Sequence, residues 1–176
     1  NAANLFAYNE EGNIYMRIDN PTVNEAEDRI AMLEKGLGAV CFASGMAAMT
    51  AFILNFLQKG DRILAGCYLY GGTSGLLKDT LPKLGIDSDF FDPSDMTQME
   101  KLITPATKLV IIENLANPAL IVPDTKKIAA ICKKYRIPLA VDNTIATPLL
   151  CNPIDHGADF VLHSCTKYME GHGNII

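Results

Sequence analysis

KLVIIENLANPALIVPDTKKIAAICKKYRIPLAVD, residues 108–142, is the stretch that decides the fold. Its apolar run at 108–113 reads as a strand, 124–135 as a helix and 139–142 as a second strand. Continuous apolar strands separated by a helix are the pattern of a parallel sheet covered on both faces. The same alternation extends outward. Upstream, strands are expected at 39–43 (AVCFA), 62–65 and 89–92, with helices at 47–57, 72–84 and 97–103. Downstream, 160–163 reads as a further strand. Before all of these, Asn20-Pro21-Thr22 looks like a helix start, with Thr22 as N-cap, Glu25 at capping-box spacing and Gly36 at the stop. The first twenty residues carry five Asn and little apolar periodicity, and read as an irregular arm. No repeat, low-complexity tract or linker interrupts the pattern. The final Gly-His-Gly-Asn-Ile-Ile reads as a loop entering another strand, so the expectation is a segment of a longer chain.

Composition narrows the functional classes. The chain has 176 residues, 49% of them hydrophobic, enough for one sizeable core. Fifteen basic against 20 acidic residues give a net charge of −5 with no basic block, which argues against nucleic acid or an anionic membrane as partner. The uncharged stretch between Lys35 and Lys59 is broken by glycines and polar residues, unlike a membrane span. Five cysteines, an odd number without C-x-x-C, fit free thiols in a reducing compartment. No signal segment opens the chain, and a soluble cytoplasmic protein is expected.

In open parallel sheets ligands bind beyond the carboxyl ends of the strands. Standing there are Ser44-Gly45-Met46, the run 66–73 with Tyr70, the run 114–118, Asp142-Asn143-Thr144 and Ser164-Cys165-Thr166-Lys167. Each has an ordinary reading: an N-cap, a turn aromatic, a loop opener, a solvated lysine. His156, His163 and His172 lack metal-ligand spacing. Taken together, an amine, a carboxylate on the adjacent strand end, a phosphate-binding helix start and an aromatic ring are the parts that hold pyridoxal phosphate. A non-catalytic coenzyme-binding α/β domain would use the same helix start and glycines, although neither G-x-G-x-x-G nor a P-loop occurs.

The motifs Y-M-R-I-D-N-P-T (15–22), A-S-G-M-A-A (43–48), L-Y-G-G-T (69–73), N-P (117–118), V-D-N-T-x-A-T-P (141–148), G-A-D (157–159) and H-S-C-T-K-Y-x-x-G-H (163–172) run in order along the whole chain. In these the sequence resembles the Cys/Met-metabolism family of pyridoxal-phosphate enzymes: cystathionine synthases and lyases, methionine γ-lyase and O-acetylhomoserine sulfhydrylase. The resemblance implies an α/β fold, the type I pyridoxal-phosphate (aspartate-aminotransferase-like) large domain, with a mostly parallel sheet and helices on both faces, here incomplete. It implies an arm at 1–20 contacting a neighbouring subunit and, at 21–176, part of the cofactor-binding large domain, the C-terminal domain being absent. By the same resemblance Lys167 bonds the cofactor aldehyde and moves protons, and Asp142 pairs with the pyridine nitrogen. Tyr70 stacks on the ring and serves as a candidate acid or base. Gly45 and Met46 amides with the Ser164 and Thr166 hydroxyls hold the phosphate, and Asn117 lies near the phenolic oxygen. Tyr15 and Arg17 reach the phosphate of a neighbouring subunit in a homotetramer.

Local departures choose among the members. Methionine γ-lyases often carry Cys where Gly72 stands, and cystathionine enzymes usually have Glu-Thr/Ser-Pro before the Asn-Pro. Glu113-Asn114-Leu115-Ala116-Asn117-Pro118 and Gly171-His172-Gly173-Asn174 look more like O-acetylhomoserine sulfhydrylases, whereas Met46 stands where many of these have Gln. The implied reaction is γ-replacement on a small amino acid. Protons leave Cα and Cβ, acetate leaves Cγ, and sulfide or a thiol adds, giving homocysteine or methionine. The sibling γ- and β-eliminations are the alternative.

Overall fold

The computed structural model describes residues 2–10, 12–16 and 20–175. The chain separates into two compact units, Asn1–Cys41 and Phe42–Ile176. In the first, α1 (Ala2–Phe6) and α2 (Pro21–Glu34) are helical. Helix α1 corrects the irregular reading of the opening residues: its turn closes through Ala7 N–H to Ala3 O and Asn9 N–H to Asn4 O, at 3.0 and 2.9 Å. The cap of α2 also moves. Asn20, not Thr22, is the N-cap, its side chain accepting from Thr22 N at 3.0 Å, because Pro21 takes the first helical position with φ already set.

The second unit holds five strands: β1 (Arg62–Gly66), β2 (Asp87–Phe91), β3 (Thr107–Glu113), β4 (Leu139–Asp142) and β5 (Phe160–Leu162). They pair in the order β2-β1-β3-β4-β5, every pair parallel, as the alternating pattern predicts. Side chains alternate across the sheet with a period of two. Leu109 and Ile111 of β3 join one buried cluster with Met49 and Ile53 of α3 (Gly45–Phe56). Val110 and Ile112 join the other, with Met99 of α5 (Met96–Leu102) and Ile128 and Cys132 of α6 (Thr125–Tyr135). Between β1 and β2 the expected single helix is a short α4 (Gly71–Gly75) followed by a π turn (Leu76–Thr80) and a 3-10 turn (Leu81–Leu84). Three glycines at 71, 72 and 75 and Pro82 explain the break. A short helix, α7 (Thr147–Leu150), follows β4.

One expected strand is absent. Residues 39–43 pair with no strand, and Val40 and Phe42 are 72% and 45% exposed. Two alanines and a cysteine bring little apolar area to the run, and the Cys41 N–H is satisfied by Glu27 Oε1 at 2.6 Å instead of by a ladder. The Gly157-Ala158-Asp159 motif has a structural use: the Asp159 carboxylate accepts from Leu139 N at 2.8 Å while its own N–H bonds Leu139 O, fixing β5 beside β4. None of the five cysteines is in a disulfide. Among the described residues no helix is long and apolar enough to cross a membrane.

Candidate active site

Register brings the chemistry together. Glu113 at the end of β3 lies opposite Asp142 at the end of β4, which lies opposite Leu162 of β5. Beyond these ends the loops are tied by a buried amide pair, Asn114 Nδ2 to Asn143 Oδ1 at 2.8 Å, with Asn143 Nδ2 to Cys151 O at 2.9 Å. Thr144 links the next two loops. Its N–H donates to Asp142 Oδ1 at 3.0 Å, and its Oγ1 accepts from Ser164 N at 2.9 Å. Lys167 sits in the turn that follows, its N–H bonded to Ser164 O at 3.2 Å.

On the other side stands the N-terminus of α3. Ser44 caps it, accepting from Ala47 N at 3.1 Å, which leaves the first-turn amides of Gly45 and Met46 without intrahelical acceptors. The helix start presses closely on Ser164: a Cβ on Gly45 would lie 2.7 Å from the Ser164 Cβ. Only backbone fits there. Gly45→Ala is therefore expected to lower the unfolding free energy by about 1–3 kcal/mol through overpacking, read as a lower midpoint in thermal unfolding. Tyr70, 53% exposed, holds its ring over Gly72, where a Cβ would come within 2.6 Å of Tyr70 Cε1 and 3.2 Å of Met46 Sδ. A residue with a side chain at 72 would have to displace that ring.

These groups enclose one cavity of about 340 Å³ lined by Gly45, Met46, Tyr70, Asn117, Asp142, Ser164, Thr166 and Lys167. Eight of the ten residues singled out in the sequence thus converge. Tyr15 is exposed in the first unit, and Arg17 lies outside the described residues. A larger, more open groove of about 1070 Å³ lies at the opposite ends of the strands, bordered by Asp61, Thr107 and Pro138. Among the described residues no comparable set of amine, paired carboxylates and helix start meets there.

The cavity also contains residues to which the sequence assigns no individual role: Glu113, His163, Thr144 and Thr73. Glu113 had a visible signal, a carboxylate closing a fully apolar strand one position before the loop. Its side chain accepts a hydrogen bond from the Tyr70 backbone N–H, 43 residues away in sequence. Burial, reinforced by the charge of Asp142, pushes its carboxyl up to about 7 against the opposing help of the Tyr70 and Asn117 amides. Asp142 is likewise raised by burial, the Thr144 hydrogen bonds and the field of His163 acting the other way.

The raised Glu113 value has a measurable consequence. A carboxyl that binds its proton more tightly when folded stabilises the fold below its unfolded value and loses that contribution as pH climbs through the folded one. Between pH 4.5 and about 7, Glu113 should remove up to about 3 kcal/mol of stability from the cofactor-free protein. Urea unfolding at pH 4.5 and 8 checks this: Glu113→Gln flattens the difference by that amount.

A family model described as Cys/Met metabolism PLP-dependent enzyme matches residues 1–176. The chain belongs to that family. Within the Cys/Met metabolism family it is 44% identical to the O-acetyl-L-homoserine sulfhydrylase of Leptospira meyeri over 175 residues, 99% of this chain and 40% of that protein. It is 43% identical to the homocysteine synthase of Schizosaccharomyces pombe over 98% of this chain and 40% of the relative. With the L-methionine gamma-lyase of Pseudomonas putida it shares 40% over 98% of its length and 44% of the lyase. A solved structure of an O-acetylhomoserine (thiol)-lyase from Campylobacter jejuni, which contains pyridoxyl-lysine monophosphate, superposes with a TM-score of 0.93 at 40% identity. That match covers 98% of this chain and 43% of the solved one. The chain thus spans about two fifths of the length of the first of these relatives. The parallel sheet with helices on both faces is thus shared with the matched part of that solved structure.

Proposed function

We propose that the full-length protein catalyses pyridoxal-phosphate-dependent γ-replacement on O-acetylhomoserine with sulfide or a thiol, giving homocysteine or methionine. The observation that carries this reading is the convergence of Lys167, Asp142 and the α3 N-terminus on one cavity in a chain 44% identical to a sulfhydrylase.

The residues present fit the cofactor. Its phosphate would be held by the Gly45 and Met46 amides, with the hydroxyls of Ser164 and Thr166 from the same cavity lining, at a helix start too tight for any side chain at position 45. A cavity of about 340 Å³ falls in the ~300–1,000 Å³ range of small-molecule sites. Asp142 lines that cavity from a strand end, and a protonated pyridine nitrogen opposite it would oppose the upward push of burial on its carboxyl.

When bound, pyridoxal phosphate supplies an aldehyde for amines and a conjugated ring that accepts the electrons released by deprotonation. The chain's own side chains do the rest. Lys167 would bond the aldehyde through Nζ and, once freed by a substrate amine, would take the proton from Cα and then one from Cβ, so that acetate can leave Cγ as the anion and sulfide or a thiol can add there. Asp142 keeps the proton on the pyridine nitrogen. Tyr70 would stack on the ring and is a second candidate acid or base; Asn117 would lie near the phenolic oxygen. Residues 1–20 act as an arm whose Tyr15 and Arg17 reach the phosphate in a neighbouring subunit of a homotetramer, and 21–176 form part of the large domain of a cytoplasmic enzyme.

A second reading, γ-elimination from methionine, has the support of 40% identity to a methionine gamma-lyase. The test is product formation by the full-length protein with pyridoxal phosphate. Homocysteine from O-acetylhomoserine and sulfide at a higher kcat/KM than 2-oxobutanoate from methionine is the expected result. The reverse order overturns the replacement reading in favour of elimination.

A further inference from the structure

Glu113 is a poor choice as a stabilising residue. It is 8% exposed, it faces a second carboxylate in its own register row, and its ionised form is disfavoured by burial. Its side chain nonetheless reaches from the central strand of the sheet to the Tyr70 backbone N–H. Tyr70 precedes α4, whose start has no side-chain cap of its own. The backbone of Tyr70 is thus anchored from β3, while its ring lies close over Gly72. The charged and titratable groups that line the cavity with Glu113 are Asp142 from β4, Tyr70, His163 and Lys167, and Asp142 is the charge that acts on it.

We propose that Glu113 is a positioning residue, which clamps the Tyr70 backbone amide to the rigid end of β3 and so sets where the aromatic ring stands over the cofactor. The clamp is the hydrogen bond, so a neutral acceptor of the same length serves it. The catalytic part of this inference rests on the cofactor reading; the clamp itself does not.

The experiment is a double-mutant cycle on the full-length protein with Glu113→Ala and Tyr70→Ala, reading pyridoxal-phosphate affinity by absorbance titration and kcat by steady-state assay. Glu113→Ala is expected to weaken cofactor binding by about ten-fold. The double variant is expected to bind within about two-fold of Tyr70→Ala alone, because the two residues act through one another. Glu113→Gln, which keeps an acceptor oxygen, recovers most of the affinity. In the cofactor-free protein, amide exchange in residues 67–72 should speed by at least about ten-fold in Glu113→Ala and stay slow in Glu113→Gln. Should the alanine variant fail to fold, Glu113→Asp, shorter by one methylene, replaces it in the same cycle. Additive effects, or a glutamine variant as impaired as alanine, overturn the clamp. Absence of a pyridoxyl adduct on Lys167 in the unsubstituted protein overturns the cofactor reading instead, and leaves the exchange measurement to judge the clamp alone.

Discussion

Lys167→Ala in the full-length protein is expected to lower turnover by at least about 10³-fold, because the proposed function gives this one side chain both the bond to the cofactor and the base that moves the substrate protons. The fold should survive. Lys167 is exposed in a turn, its backbone bonds to Ser164 O and from Gly171 N do not depend on the side chain, and surface substitutions of this kind cost about 0.5 kcal/mol or less. Steady-state kinetics paired with thermal unfolding checks both halves. A large loss of turnover with an unchanged midpoint supports the assignment; retained turnover contradicts it.

Asp142→Asn separates catalysis from stability in opposite directions. The asparagine keeps an oxygen for the Thr144 N–H but could not hold the proton on the pyridine nitrogen that the proposed function assigns to Asp142, so turnover is expected to fall by about 10²–10³-fold. The cofactor-free protein behaves differently. Burial raises the Asp142 carboxyl above its ordinary value, so its ionised form opposes folding once the pH exceeds the unfolded carboxylate range. The neutral amide escapes that penalty. Asp142→Asn is therefore expected to be more stable than the unsubstituted protein at pH 8, with the gain shrinking toward pH 4. Chemical denaturation at the two pH values reads it, and a variant equally destabilised at both would contradict burial of the charge as the cause.

The sheet was legible because most of its strands are short apolar runs and the helices between them open on capping residues. Asp124 before α6 and Ser44 before α3 both accept from the amide three residues on, at 3.1 Å. Reading failed where local pattern and tertiary partner diverged. The run at 39–43 is apolar enough for a strand, yet a strand needs a neighbour, and pairing cannot be read from five residues. Thr22 was a plausible cap, but Pro21 shifted the helix start by fixing φ one residue earlier. The candidate cavity was legible where motifs lie at or soon after strand ends, as with Asp142, which closes β4, and Lys167 in the turn beyond β5. Glu113 escaped because its role depends on a parallel register with β4 and on a partner amide 43 residues upstream, neither of which periodicity encodes.

The central claim is that Lys167 is the amine to which the cofactor attaches. Borohydride reduction of the full-length protein loaded with pyridoxal phosphate, followed by peptide mass spectrometry, tests it most directly. The expected result is a pyridoxyl group on the peptide containing Lys167. An adduct confined to another lysine, or none on the intact loaded protein, would contradict it.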